Sequence, residues 1–227
     1  KFASKVFNTK DGQLQSDNVQ FVLQDSARRI WIGTDKGLYC WKDNALQCVD
    51  KSHSFQRACR FKGKTCFITV DGEIRTADKE GRLSLAAKLP DVSYGLDLPG
   101  NLAVGSQWVI FTSEGSFVFD TESNMLRPSP PEWNIPGGEV SVDNRGNYWV
   151  HNKTGKLYYI RSGTGAVKVF QLMPREKVGY IDMERYHVVH DSRDILWIST
   201  YGNGLFTYDL RTDELRHFKA DDSRSSL

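Results

Sequence analysis

The stretch DILWISTYGNGLFTYD, from Asp194 to Asp209, repeats in outline the earlier stretch RIWIGTDKGLYCWKD, from Arg29 to Asp43. In both, an apolar run ends in threonine, a turn containing glycine follows, and a second apolar run begins with Gly-Leu. Short apolar runs separated by turn residues are typical of strands in hairpins. Because the chain contains the same pair of strands twice, the sequence predicts a fold built from repeated units.

Three further stretches fit the same pattern. The central positions of the five repeats are Trp31, Phe67, Val109, Trp149 and Trp197, which are about 41 residues apart on average, the period of four-stranded propeller blades. A unit this small buries its apolar faces only by stacking on its neighbours, and no segment shows helical periodicity. The sequence therefore predicts an all-β fold, a β-propeller of four-stranded antiparallel blades, with the three tryptophans in the blade cores.

The repeats predict five blades in one propeller segment, at about residues 19–50, 57–87, 101–127, 138–171 and 186–219. Residues 1–18 are expected to form a spare strand around Val6 and Phe7 and then a linker, and residues 220–227 resemble the start of another inter-blade linker. A spare N-terminal strand typically completes the last blade of a closed propeller. We therefore expect the chain to be part of a larger, seven-bladed propeller; a closed five-bladed ring is the alternative.

The first and fifth repeats share the pattern D-x-x-x-x-[IL]-W-I-[GS]-T, followed by a turn and Gly-Leu, and begin at Asp25 and Asp191. An aspartate at a strand end can accept backbone N–H bonds in the following turn. The pattern resembles the two-component regulator propeller repeat. The fourth repeat matches in part, with His151 in place of Gly or Ser, whereas the second and third repeats lack both the Asp and the Trp.

The resemblance implies a function as well as a fold. Propellers of that family form the extracytoplasmic sensor region of hybrid two-component systems, so it implies a non-catalytic sensor segment in the periplasm. The intact protein would be a histidine kinase of the inner membrane, whose membrane and kinase segments are absent from this sequence. The implied input is an oligosaccharide, and the implied mechanism is a shift in packing between propellers or between the protomers of a homodimer.

Composition and motifs argue against other classes of function. Lys plus Arg is 30 and Asp plus Glu is 28, which is too balanced for a nucleic-acid-binding surface. No nucleophile elbow or phosphate-binding loop is present. The histidines are not spaced as metal ligands, and DNRGN at 143–147 lacks the further carboxylates of a calcium loop. We therefore expect no catalytic residue, no metal and no cofactor.

The long loops between blades are the predicted ligand-binding surface. In a propeller, the loops from the fourth strand to the next blade and from the second strand to the third share one face. Aromatic rings stack on sugar rings, and arginine pairs with acidic groups. The predicted contacts on this face are Tyr94, Trp133, His151, Arg175, Tyr180 and Tyr201. An alternative role for Trp133 is to fill an apolar gap between two blades.

Two other functions stay open. A propeller scaffold for a protein partner would not be stabilised by small ligands, although the G-H…W-D signature of WD repeats is absent. A carbohydrate-active propeller enzyme would need acids, bases or metal ligands converging on the channel, and the inner strands VQFVLQ and YHVVH offer few.

The cysteines leave two alternatives. Cys59 and Cys66 flank a predicted two-residue turn at Lys62-Gly63, which would place them opposite each other on a hairpin. The Cα atoms of such a hydrogen-bonded pair are about 5.5 Å apart. That separation is compatible with a disulfide and equally with two buried free thiols.

Overall fold

The computed structural model describes residues 5–90, 100–152, 154–172, 186–200 and 203–219. In these ranges the chain forms five four-stranded sheets, in each of which the strands follow one another in chain order. The one helix found there is a single 3-10 turn, Pro131–Trp133. No described helix has the length and apolarity that would be needed to cross a membrane.

Each sheet corresponds to one predicted repeat and is called a blade below. Blade 1 consists of β1 (Val19–Gln24), β2 (Ile30–Thr34), β3 (Gly37–Lys42) and β4 (Ala45–Asp50). Blade 2 consists of β5 (Phe55–Phe61), β6 (Lys64–Thr69), β7 (Glu73–Ala77) and β8 (Leu83–Lys88). Blade 3 consists of β9 (Gly100–Val104), β10 (Gln107–Phe111), β11 (Ser116–Asp120) and β12 (Met125–Pro128). Blade 4 consists of β13 (Glu139–Val142), β14 (Tyr148–His151), β15 (Lys156–Ile160) and β16 (Val167–Gln171). Blade 5 consists of β17 (Tyr186–His190), β18 (Ile195–Thr200), β19 (Leu205–Asp209) and β20 (Glu214–Phe218).

The chain divides into two compact units. Unit 1 comprises Lys1–Leu98, Ser106–Ile110 and Phe117–Pro128, and unit 2 comprises Pro99–Gly105, Phe111–Ser116 and Ser129–Leu227. Blades 1 and 2 therefore lie in unit 1, blades 4 and 5 lie in unit 2, and the strands of blade 3 are divided between the units.

The core of unit 1 joins blade 1 to blade 2. Trp31 of β2 is fully buried, and its ring centre lies 5.0 Å from that of Phe67 in β6. Phe55 packs edge-on against the same phenylalanine, and Leu38 of β3 belongs to the same cluster. The aromatic residue of one blade thus covers the sheet of the next, which is how a repeat too small to fold alone buries its faces.

Unit 2 has an equivalent core between blades 4 and 5. Trp149 of β14 is fully buried and stacks on Tyr159 at 4.6 Å, in one cluster with Leu196 and Ile198 of β18. Trp197 has the corresponding position in blade 5 but is only half-buried. Within the described part of unit 2 no sheet follows blade 5, so the indole is not covered by a neighbouring sheet.

The aspartate at the end of the first strand organises the turn that follows it. Asp25 accepts hydrogen bonds from the backbone N–H of Ala27 and of Arg29 and from Nε1 of Trp31. Equivalent bonds are donated to Asp143 by Arg145, Asn147 and Trp149, and to Asp191 by Arg193, Ile195 and Trp197. The prediction that these carboxylates accept backbone N–H bonds is confirmed. The spacing of Asp and Trp is fixed because one carboxylate binds both the turn and the indole.

The Gly-Leu at the start of the third strand also has a structural reason. Gly37 and Gly204 both have positive φ angles, +149° and +79°. A Cβ atom at Gly37 would lie 2.7 Å from the backbone oxygen of Asp50, and one at Gly204 would lie 2.2 Å from that of Phe218. Only glycine allows the outer strand to come this close.

Two expectations on unit 1 are settled by the structure. The described residues 5–18 form turns and coil, not the spare strand expected around Val6 and Phe7. A strand forms only where its backbone can hydrogen-bond to the edge of a sheet. Residues 5–8 have no strand partner in the described structure, and the ring of Phe7 packs on that of Trp41 with the ring centres 5.0 Å apart. Cys59 and Cys66 lie directly opposite each other across β5 and β6, as predicted, and both are free thiols.

Candidate functional site

The described residues include two of the six predicted ligand contacts. Trp133 and His151 are both in unit 2. The other four, Tyr94, Arg175, Tyr180 and Tyr201, lie outside the described residues and stay predictions.

Trp133 is packed into unit 2. It ends the 3-10 turn after Pro130, its side chain is buried, and its Nε1 donates a hydrogen bond to the backbone oxygen of Gly165 at 3.2 Å. The indole lies so close to Gly165 that a Cβ atom there would be 2.8 Å from it. A ring that stacks on a sugar needs one open face. In this structure Trp133 is 9% exposed, and its contact with a ligand stays a prediction beside the alternative role of filling an apolar gap.

His151 ends β14 and lies among side chains of blades 4 and 5. Its ring meets the edge of Tyr186 with a centre-to-centre distance of 5.2 Å, and Nε2 is 3.9 Å from Oε2 of Glu139. Burial lowers the pKa of His151 more than the Glu139 carboxylate raises it. The imidazole is therefore neutral at neutral pH and can offer one donor and one acceptor.

A second polar group, in unit 1, was not predicted from the sequence. Asp50, His53, Glu73 and Arg75, called the His53 cluster below, come together where β4 ends and β7 begins. The link from β4 to β5 and the turn from β6 to β7 lie at the same end of the strands, because the turns of an antiparallel sheet alternate between its two ends. This is the type of loop end on which the ligand contacts were predicted.

The members of the His53 cluster are held by one another. Nδ1 of His53 is 2.9 Å from Oδ2 of Asp50, and Nε2 is 3.1 Å from the guanidinium of Arg75. Arg75 also donates to Oε2 of Glu73 at 2.7 Å. Glu73 and Arg75 are two apart in β7, so their side chains share one face of the strand.

Hydrogen bonds keep two carboxyl groups at the His53 cluster ionised. Burial would raise the pKa of Asp50, but hydrogen bonds from the backbone of Ser52 and from His53 outweigh burial and lower the pKa. The hydroxyl of Thr69 likewise lowers the pKa of the neighbouring Asp71. Both carboxylates are thus ionised at neutral pH.

The cluster has the donor types of a metal site. Ligand atoms of His53, Asp71 and Glu73 all lie within 4.8 Å of one another, and Asp50 orients the imidazole as a second-sphere carboxylate would. However, Arg75 already lies against both Glu73 and Nε2 of His53. A metal ion would have to displace this guanidinium, so the donor set fits an ion-pair network better than a metal centre.

As a binding surface, the His53 cluster presents fixed donors and acceptors that solvent still reaches. The side chains of its members are 10% to 21% exposed. Rigid carboxylate, imidazole and guanidinium edges of this kind suit a hydroxyl-rich ligand. Sequence reasoning missed the cluster because His53 and Glu73 are far apart in sequence; the one available signal was the Glu-x-Arg alternation in β7.

Comparison with known families supports the repeat assignment. Residues 13–36 match the family described as two component regulator propeller. The matched segment contains Asp25 and Trp31, so the predicted resemblance is confirmed on the residues that form the Asp-Trp turn of blade 1. No curated protein matches the chain.

Solved structures share the fold at low sequence identity. The extracellular domain of a putative hybrid two component system from B. thetaiotaomicron is 13% identical with a TM-score of 0.57, over 93% of this chain and 31% of that one. Virginiamycin B lyase from Staphylococcus aureus is 13% identical with a TM-score of 0.59, over 94% and 72%. BamB from Moraxella catarrhalis is 13% identical with a TM-score of 0.58, over 87% and 64%.

These similarities concern the fold. They confirm the predicted all-β class with propeller blades, because virginiamycin B lyase and BamB are propeller proteins. This chain spans about a third of the length of the bacterial extracellular domain that it matches.

Proposed function

We propose that this chain is the ligand-sensing segment of an extracytoplasmic sensor in a two-component system, and that its ligand is an oligosaccharide. The observation that carries the proposal is the match of residues 13–36 to the two component regulator propeller repeat. The similarity of the fold to the extracellular domain of a putative hybrid two component system is consistent with it. The segment would lie in the periplasm as part of an inner-membrane histidine kinase.

The geometry of the His53 cluster favours binding over catalysis. Both ring nitrogens of His53 are engaged, one by Asp50 and the other by Arg75. A general base needs a free nitrogen within hydrogen-bonding reach of a substrate proton. In this structure the ring nitrogens of His53 are not free to take a substrate proton. The carboxylates and the guanidinium beside the ring are the groups that can bind a ligand hydroxyl, and the ring helps to orient them.

The signal would pass from the ligand to the kinase through packing. A ligand that prefers one arrangement of blades or protomers shifts the population toward it, and the shift is limited by its difference in affinity for the two states. A homodimer of the intact protein would transmit this shift to the membrane helix.

The proposal is tested by thermal unfolding of the chain with cellohexaose, xylohexaose, mannohexaose and a polygalacturonate hexasaccharide. A ligand at 100 times its dissociation constant adds about 2.7 kcal/mol to the free energy of unfolding. For a chain of this size that raises the melting temperature by about 5–10 °C. We expect one sugar class to give such a shift.

Two matched variants locate the effect. Glu73→Gln changes the His53 cluster, and Glu80→Gln makes the same change in the turn between β7 and β8, at the other end of the blade. A tenfold loss of affinity reduces the shift to about half, and we expect this for Glu73→Gln alone. If no sugar shifts the melting temperature, an oligosaccharide input is contradicted and a protein partner becomes the better candidate.

A further inference from the structure

Unit 1 also contains a basic cavity at the end of its strands opposite the His53 cluster. Its volume is about 370 Å³, near the lower end of the range for small-molecule sites. It is lined by the turn from β1 to β2, the turn from β5 to β6 and the start of the turn from β7 to β8. No predicted site residue and no member of the His53 cluster contributes to it.

Among the residues that the structure describes, the amino groups around this cavity have no acidic partner. Lys62, Lys64 and Lys79 line it, and none of them forms an ion pair with a carboxylate in the parts of the chain that the structure describes. The two carboxylates in the lining are already paired: Asp25 with Arg29 at 2.6 Å, and Asp78 with Arg82 at 2.7 Å. The cavity therefore carries an excess of positive charge.

One of the three lysines is held in place by hydrogen bonds. The ammonium group of Lys64 donates to the backbone oxygen of Thr121 and to Oδ1 of Asn124. Since an ammonium group has three donors, one remains for a ligand. The exposed side chain of Lys79 lies near the turn from β5 to β6, where its Cε atom would be 3.8 Å from a Cβ atom added to Gly63.

The floor of the cavity is rigid. The Arg29 guanidinium is buried and bridges blade 1 to blade 2, since it binds Asp25 by Nε and the backbone oxygen of Asp78 by Nη2 at 2.9 Å. Ala27 and the aliphatic stems of the lysines supply apolar surface. A ligand that fits these walls has an anionic group for the amines and a ring for the apolar surface.

We propose that this cavity binds a small carboxylate of monosaccharide size, such as a sugar acid, between Lys62, Lys64 and Lys79. This site lies at the other end of the blades from the His53 cluster, so the proposal for the cavity does not depend on the proposed binding of an oligosaccharide at that cluster.

The test uses the ¹⁵N-labelled chain at low ionic strength, titrated with glucuronate and with glucose, which differ in the carboxylate. We expect glucuronate to move the backbone amide signals of Ala27, Gly63 and Lys79, and glucose to leave them in place. Added sodium chloride should weaken binding, because salt screens exposed charges.

Variants of equal charge provide the control. Lys62→Gln/Lys79→Gln removes two amines from the cavity, whereas Lys36→Gln/Lys51→Gln removes two exposed amines from the opposite end of the same blades. We expect the first pair to weaken glucuronate binding at least about tenfold, the effect of losing a charge-assisted hydrogen bond, and the second pair to bind like wild type. Equal binding of glucose and glucuronate, equal affinity of the two variants, or no binding of glucuronate would each overturn the proposal.

Discussion

Replacing Asp25 by alanine should destabilise the chain strongly, because the carboxylate holds both a turn and a buried charge. It accepts hydrogen bonds from Ala27 N and Arg29 N, each at 2.9 Å, from Arg29 Nε at 2.6 Å and from Trp31 Nε1 at 2.8 Å. Asp25 and Arg29 are only 4% and 5% exposed. Removal of one partner of a buried ion pair leaves the other charge uncompensated, which costs about 3–5 kcal/mol. We expect a loss near the middle of that range.

Urea unfolding followed by circular dichroism measures this loss, since the midpoint and the slope give the free energy of unfolding. Asp191→Ala is the matched control: it breaks the same kind of turn, but its partner Arg193 is 66% exposed, so we expect a clearly smaller loss. In Asp25→Ala/Arg29→Met the orphaned charge is gone as well, and this double variant should be more stable than Asp25→Ala. If Asp25→Ala costs no more than Asp191→Ala, the reasoning is refuted.

The pH dependence of the free energy of unfolding of Asp25→Ala tests whether the charge of the Asp25 carboxylate stabilises the fold. Burial would raise the pKa of Asp25, but hydrogen bonds from Trp31 and Arg29 outweigh it and hold the pKa below its ordinary value. A carboxyl group whose pKa is lower in the folded state contributes stability that is complete above the unfolded-state pKa, about 4. The contribution is lost as the pH falls through the folded-state pKa. The stability difference between wild type and Asp25→Ala should therefore be constant near neutral pH and narrow below about pH 4.

Three further predictions concern packing and reactivity. Burial raises the pKa of Cys59 and of Cys66 to about 12, whereas Cys48 is exposed, so at pH 8 mass spectrometry should find iodoacetamide on Cys48 and not on the other two until urea unfolds the chain. Gly204→Ala should lower the melting temperature by the equivalent of about 2 kcal/mol or more, because it adds a Cβ atom at a positive φ angle and against the backbone of β20; an unchanged melting temperature would contradict the close approach. Trp133→Ala should cost about 3–5 kcal/mol in urea unfolding, whereas an exposed ligand contact would cost little.

The repeated parts of the fold could be read from the sequence because their stabilising contacts are local. Asp25 and Trp31 are six residues apart, and the Asp25 carboxylate accepts a hydrogen bond from the Trp31 indole. The sequence pattern therefore contains both partners of the interaction. Cys59 and Cys66 flank a two-residue turn that fixes their register. The period of the central positions of the repeats then places the remaining strands, even in blades that lack the Asp-Trp pair.

The candidate sites could not be read in the same way because their contacts are distant in sequence. Trp133 looks like an exposed loop residue until Gly165, 32 positions later, accepts its indole N–H. His53 meets Glu73 and Arg75 only after blade 2 has folded. Trp197 follows the repeat pattern as well as Trp31 does, yet its burial depends on which sheet lies beside it, and spacing within one repeat does not determine that.

The most direct test of ligand sensing is the ¹H–¹³C spectrum of the histidine rings in the presence of the hexasaccharide that raises the melting temperature. The chain has five histidines, and His53→Gln identifies the signal of the ring in the cluster. Ligand binding should move the ring signal of His53 along a saturating curve and leave that of His217, in β20, in place. A sugar that raises the melting temperature without moving the His53 signal would contradict the assignment of the binding surface. Failure of every hexasaccharide to bind would contradict the sensing of oligosaccharides itself.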